Sequence, residues 1–140
     1  KGTLSSFQVI STLPAGFDAE DNTCAEIKID ASGRHLYASN RGHDSLALFD
    51  VAEDGSLSLR DHYATEQTPR FFDLDPTGKW MLSVGQGSGS MTVYRIEESG
   101  ALTQTNRFDV GDAPLWIQFV EVRQVSREKL AAVFVAGSVE

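Results

Sequence analysis

The chain repeats itself at a spacing of 45 residues, and this repeat constrains its fold more than any other feature. "DASGRHLY" begins at Asp30 and "DPTGKWML" at Asp75. The same spacing carries Gly33 to Gly78, Gly42 to Gly87, Ser45 to Ser90, Gly55 to Gly100, Leu57 to Leu102 and Pro69 to Pro114, with no gap. Apolar positions keep the register too, pairing Leu36 with Met81, Leu48 with Val93, Phe49 with Tyr94 and Val51 with Ile96. Unrelated hydrophobic stretches do not hold glycines and apolar residues in step over a whole unit.

Each unit reads as four short strands, at 24–29, 34–40, 45–51 and 57–63 in the first and at 69–74, 79–85, 90–96 and 102–108 in the second. The runs are β-rich and bounded by turn residues, and no stretch has helical periodicity. Gly33 and Gly55, with Gly78 and Gly100 after them, stand where tight hairpins need a positive φ. A four-strand repeat of about 40–50 residues is a β-propeller blade. The fold class is therefore all-β, a propeller of four-stranded antiparallel blades. "GTLSSFQV", residues 2–9, matches "GSLSLRDH" from Gly55 and is expected to be the outer strand of an earlier blade. "PLWIQFV", from Pro114, matches "PRFFDLD" from Pro69 and is expected to be the inner strand of a later one. Closed propellers have about four to eight blades. The expectation is thus a partial propeller over 1–120, two full blades with flanking strands of two more, followed by a tail at 121–140.

Bulk properties narrow the partners. A net charge of −8 and no basic stripe argue against nucleic acid. No apolar run approaches the ~20 residues that span a bilayer. The single cysteine, Cys24, excludes an internal disulfide and is expected to be a small buried residue. His35, His43 and His62 lack metal-ligand spacing, so neither metal nor cofactor is expected. "GQGSGS" at 85–90 is a hairpin turn, not a phosphate loop before a helix.

In an antiparallel meander successive turns alternate between the two ends of a blade. The turns between the first and second strands and between the third and fourth ("DASGR", "EDGS") keep the same small residues in both units. The turn between the second and third strands changes from Asn40-Arg41-Gly42-His43-Asp44 to Gly85-Gln86-Gly87-Ser88-Gly89. At the start of the first strand, Glu26 aligns with Phe71 and Trp116, and Ala25 with Arg70 and Leu115. One end is scaffold; the other differs from blade to blade and is the expected ligand end.

"AEI" at 25–27, "SGRHLYASNRGHDS" at 32–45, "DGSL" at 54–57, "TPRFFDLDPTGKWM" at 68–81 and "VGDAPLWIQFV" at 110–120 together resemble the late blades of the lactonase family of seven-bladed propellers. The resemblance covers about residues 2–120 and includes the 6-phosphogluconolactonases of the propeller type. It implies a metal-free, cytoplasmic hydrolase that opens a sugar-acid lactone at the mouth of a central channel, with the remaining blades needed for closure. On that reading Arg41 is a planar cation suited to a phosphate, a carboxylate or a developing oxyanion. Glu26 is the candidate general base for water, His43 shares that role or contacts substrate, and the choice of base among them stays open. Arg70 and Gln86 are further binding residues, and Asn40 orients the arginine.

Plainer readings stand beside these. Arg41 is otherwise an inter-blade ion pair to a carboxylate such as Glu26, although Gln86 shows that the architecture needs no charge there. His43 is otherwise a solvated turn residue or a partner of Asp44, Arg70 a backbone clamp at a blade junction, and Trp116 and Phe71 channel-wall packing. A non-catalytic binding platform is the competing function, and a chain inactive by itself is the third.

Overall fold

A computed structural model describes residues 2–124 and 127–136. Eight strands form two four-stranded antiparallel meanders. Blade one contains β1 (Thr23–Ile29), β2 (His35–Arg41), β3 (Ser45–Val51) and β4 (Leu57–Ala64). Blade two contains β5 (Pro69–Leu74), β6 (Trp80–Gly85), β7 (Ser90–Ile96) and β8 (Leu102–Asp109). β9 (Pro114–Gln124) follows as the next inner strand and pairs with β10 (Arg127–Ala136), which lies within the tail. The eight expected blade strands, and the inner strand from Pro114, are thus found to within a residue or two.

Local chemistry builds each first hairpin. Asp30 accepts from the Arg34 and His35 amides and from the Ser32 hydroxyl. Asp75 does the same for Thr77, Lys79 and Trp80. The glycine of each turn, Gly33 at φ 71° and Gly78 at φ 68°, takes the left-handed conformation that closes it. Burial pushes the Asp30 carboxyl up, but bonds from His35, Ser32 and Arg34 outweigh it and hold the group below the usual carboxylate range.

The middle strands are buried on both faces, the outer strands β4 and β8 on little more than one edge. Tyr37, Leu46 and Leu48 of blade one meet Phe72, Met81, Tyr94 and Leu102 of blade two in the core between the blades. Burying each such side chain contributes roughly 1.5–3 kcal/mol. Two buried hydroxyls stitch the seam: Tyr37 donates to the Gly100 carbonyl and Tyr94 to the Ala64 carbonyl, both at 2.7 Å. A second core joins Phe71, Leu82, Val84 and Met91 of blade two to Ile117 of β9.

Two expectations need correction. Residues 2–10 are not a strand. An outer strand needs a neighbour for its ladder, and no other segment among the described residues supplies one. Instead the Gln8 side chain bonds both the Leu57 amide and carbonyl at 2.8 Å, imitating a ladder pair. Cys24 is exposed, not buried, because β1 is the open face of blade one and most of its residues are solvated.

Candidate active site

The inner strands β1, β5 and β9 lie side by side, and each carries an irregularity at the same repeat position. In β1, Cys24 pairs with Asn40 and Ile27 with Ala38, so Ala25 and Glu26 share the space opposite Ser39. In β5, Pro69 pairs with Gly85 and Phe71 with Val84, which leaves Arg70 as the extra residue. In β9, Pro114 pairs with Ala136 and Trp116 with Val135, which leaves Leu115. A β-bulge bends its strand and re-aims the side chains beside it. Here the three bulges turn Ala25, Arg70 and Leu115 towards one groove of about 370 Å³, which Glu26, Phe71, Trp116 and Lys28 complete.

Phe71 and Trp116 form its aromatic wall, stacked with centroids 5.3 Å apart and planes inclined by 23°. Trp116 remains 53% exposed, so its outer face is open to the groove. Lys28 lies over the Phe71 ring at 5.2 Å and pairs with Asp73 at 3.3 Å. The Glu26 carboxylate accepts from the Ile27 amide at 3.1 Å, and the Glu26 amide donates to Ser39 Oγ at 3.0 Å. Neither Glu26 nor Arg70 has an ion-pair partner among the described residues.

The expected ligand end is a real end of the molecule. Asp44 in the β2–β3 turn accepts from the Thr68 amide at 2.8 Å, and the Thr68 carbonyl accepts from the Gln86 amide at 2.9 Å. The two β2–β3-type turns and the connection between blades therefore meet there. Thr68, at φ 54°, and Asp44, at φ 52°, are strained for non-glycine residues; Gly89 holds the position equivalent to Asp44.

Of the six candidate residues, Glu26 and Arg70 come together in the groove. Arg41 stands at the end of β2 opposite Thr23, outside the groove lining, and its Nη2 donates to the Cys24 carbonyl at 3.3 Å. Its Nε is buried without a partner, and it makes no ion pair to Glu26 among the described residues. Asn40 is fully buried. Its amide donates to the Thr12 carbonyl at 2.8 Å and accepts from Thr12 Oγ1 at 2.6 Å, holding the segment before β1 onto the blade. His43 bonds Ser45 Oγ through Nδ1 at 2.7 Å and packs edge-on against Phe17 and His62, 4.7 and 5.5 Å between centroids. Gln86 stays on the second turn, away from the groove.

Sequence reasoning missed Glu66. Its carboxylate accepts from Thr92 Oγ1, Ser88 Oγ and Arg107, at 2.7 to 3.1 Å, and pins the connection between blades onto blade two. Its repeat equivalents are Asp21 and Gly111, so the periodic pattern carried no signal for it. With every oxygen engaged it is a structural lock, not a reactive group.

Comparison with known proteins identifies the family of the fold. A family model described as lactonase, 7-bladed β-propeller, matches residues 1–119. A 6-phosphogluconolactonase of Yersinia enterocolitica is 41% identical over 120 residues, covering 83% of this chain and 35% of that protein. One from Pectobacterium carotovorum is 42% identical over 74 residues, 52% of this chain and 22% of that protein. Among solved structures, a Lactobacillus plantarum protein superposes with a TM-score of 0.68 at 39% identity, over 74% of this chain and 30% of its own. The periplasmic gluconolactonase of Pseudomonas aeruginosa gives 0.69 at 25% identity, over 91% and 33%. The chain thus spans about a third or less of the length of these relatives. A 45-residue blade repeat, two blades stacked through one core, and a family match over most of the length lead to one conclusion: this chain belongs to the lactonase family of seven-bladed β-propellers.

Proposed function

We propose that these blades contribute to a propeller that hydrolyses a sugar-acid lactone, with 6-phosphogluconolactone as the substrate to test first. The observation that carries the reading is the set of three aligned bulges, which places Glu26 and Arg70 in one groove beside an open aromatic face. The relatives named as 6-phosphogluconolactonases support the reaction class.

The chemistry follows from the residue types. Glu26 takes a proton from water as the water oxygen attacks the lactone carbonyl. The acyl–oxygen bond then breaks, the ring oxygen leaves as a hydroxyl after taking up that proton, and the free acid remains. Arg41, outside the groove lining but at the same end of the blade, adds a permanent positive charge whose field favours the oxyanion that develops.

The test is ring opening of 6-phosphogluconolactone against its spontaneous rate, by the propeller that carries these blades. Glu26→Gln is expected to lower kcat by about a hundredfold or more, and Arg41→Ala to lower kcat/KM. A parent rate no faster than the spontaneous one, or two variants as fast as the parent, overturns the assignment.

A further inference from the structure

We infer that residues 11–22 form a strap over the ligand end of blade one, and that protonation of His43 releases it. The connections before β5 and β9 are short, residues 65–68 and 110–113, whereas the whole of 11–22 precedes β1. Residues 15–21 of the strap are exposed, and Asn40 holds both of its feet. The Asn40 amide nitrogen donates to the Thr12 carbonyl at 2.8 Å, and its oxygen accepts from Thr12 Oγ1 at 2.6 Å and from Asn22 Nδ2 at 3.3 Å. His62 Nε2 also donates to the Thr12 carbonyl, at 2.9 Å. The His43 amide donates to Asn22 Oδ1 at 3.2 Å, and Phe17 packs on the His43 ring.

The two blades fasten their connections differently. In blade two, Arg107 and Ser88 donate to the Glu66 carboxylate, and Arg107 donates to Ser90 as well. Their repeat equivalents in blade one are His62, His43 and Ser45, and Glu66 is matched by the exposed Asp21. Among the described residues only one histidine, His35, pairs with a carboxylate, that of Asp30. A lock of permanent, compensated charge in blade two is thus replaced in blade one by two titratable rings without a counter-ion.

The direction of the hydrogen bonds makes His43 the sensor. The Thr12 carbonyl can only accept, which fixes the Asn40 amide, and the second amide hydrogen goes to Ser45 Oγ at 3.2 Å. Ser45 is 1% exposed, so its own hydrogen goes to His43 Nδ1 at 2.7 Å. A proton on Nδ1 reverses that last link. Nδ1–H then donates to Ser45 Oγ, the Ser45 hydrogen loses its acceptor, and the chain back to Thr12 is broken. His62, 5.5 Å away between centroids, opposes a second positive charge. The other charges facing the pair are Arg41 and Asp44 at the β2–β3 turn, Asp61 on β4, and Asp18, Glu20 and Asp21 on the strap. The carboxylates of Asp44, Asp61 and Asp18 accept the amides of Thr68, His62 and Glu20, and Glu20 and Asp21 are exposed to water. The fastened state binds fewer protons, so acid favours release. Because the strap runs into β1, release also frees the start of the strand that carries Glu26.

The test is amide hydrogen exchange on the propeller that carries these blades, corrected for the intrinsic pH dependence of exchange. Protection of residues 11–22 is expected to fall about tenfold between about pH 8 and about pH 5, while β6 and β7 keep theirs. His43→Asn leaves an acceptor near the Nδ1 position but cannot titrate, and its strap is expected to stay protected over the whole range. His62→Gln keeps a donor for the Thr12 carbonyl and is expected to respond as the parent does. NMR of the imidazole nitrogens, which needs no variant, is expected to show neutral His43 protonated on Nε2. Strap protection that does not change with pH in the parent overturns the inference. So does a response that survives in His43→Asn or is abolished by His62→Gln, and so does a neutral His43 protonated on Nδ1.

Discussion

Glu66→Ala removes the acceptor at the centre of the cluster that locks the connection between blades onto blade two. Thr92 Oγ1 and Ser88 Oγ donate to it at 2.7 and 2.8 Å, and Arg107 Nε and Nη2 at 2.9 and 3.1 Å. The Glu66 side chain is 4% exposed and that of Arg107 51%. Arg107 therefore rehydrates when its partner is lost, and the cost of about 3–5 kcal/mol for splitting a fully buried pair does not apply. Thr92 sits on a buried strand and cannot rehydrate so readily, and orphaning such a hydroxyl costs about 1–3 kcal/mol. The expected destabilisation is about 2 kcal/mol, which lowers Tm by roughly 6 °C for a chain of this size.

The same variant predicts a pH dependence. Burial pushes the Glu66 carboxyl up, but bonds from Arg107, Thr92 and Ser88 outweigh it and hold its pKa below the ordinary value. The folded state therefore releases this proton more readily than the unfolded chain. Its contribution is complete above the unfolded-state value and is lost as pH falls through the folded one. Thermal unfolding followed by circular dichroism should show the widest gap between parent and variant at neutral pH, closing under acid conditions. A variant that melts within a degree of the parent at neutral pH, or a gap that widens on acidification, refutes the reasoning.

Two further substitutions probe the neighbourhood. A Cβ at Gly85 would lie 2.6 Å from the Gln67 carbonyl oxygen and closer still to Glu66 Cβ, so Gly85→Ala must displace the locked connection. Overpacking of this kind costs about 1–3 kcal/mol, measurable by urea unfolding; an unchanged midpoint would contradict the packing. At Asp44, alanine loses the bond from the Thr68 amide and keeps the positive-φ penalty, whereas glycine loses only the bond. Asp44→Gly should therefore be more stable than Asp44→Ala by about 1 kcal/mol, and equal stabilities would remove strain from the account of that turn.

The blade itself was legible because its chemistry is local. Asp30 and Asp75 close turns within five residues of themselves, and the glycines after them supply a backbone conformation that side chains resist. Alternating turns also identified the end where the β2–β3 turn, the connection and Gln86 meet, since a meander has only two ends. Glu26 and Arg70 could be singled out as departures from their repeat partners, but not as neighbours.

What brought them together is register. Three bulges on adjacent strands decide which residue is extra and which way it faces, and that depends on pairing between segments whose letters are silent about it. The exposure of Cys24, the meeting of His43 with His62 and the Glu66 lock likewise depend on which distant segments lie against one another. The sequence by itself determined a 45-residue, four-stranded unit and its turns, because those rest on interactions a few residues apart. Only the tertiary structure decided which side chains share the groove, because that rests on how strands slide and bulge against their neighbours.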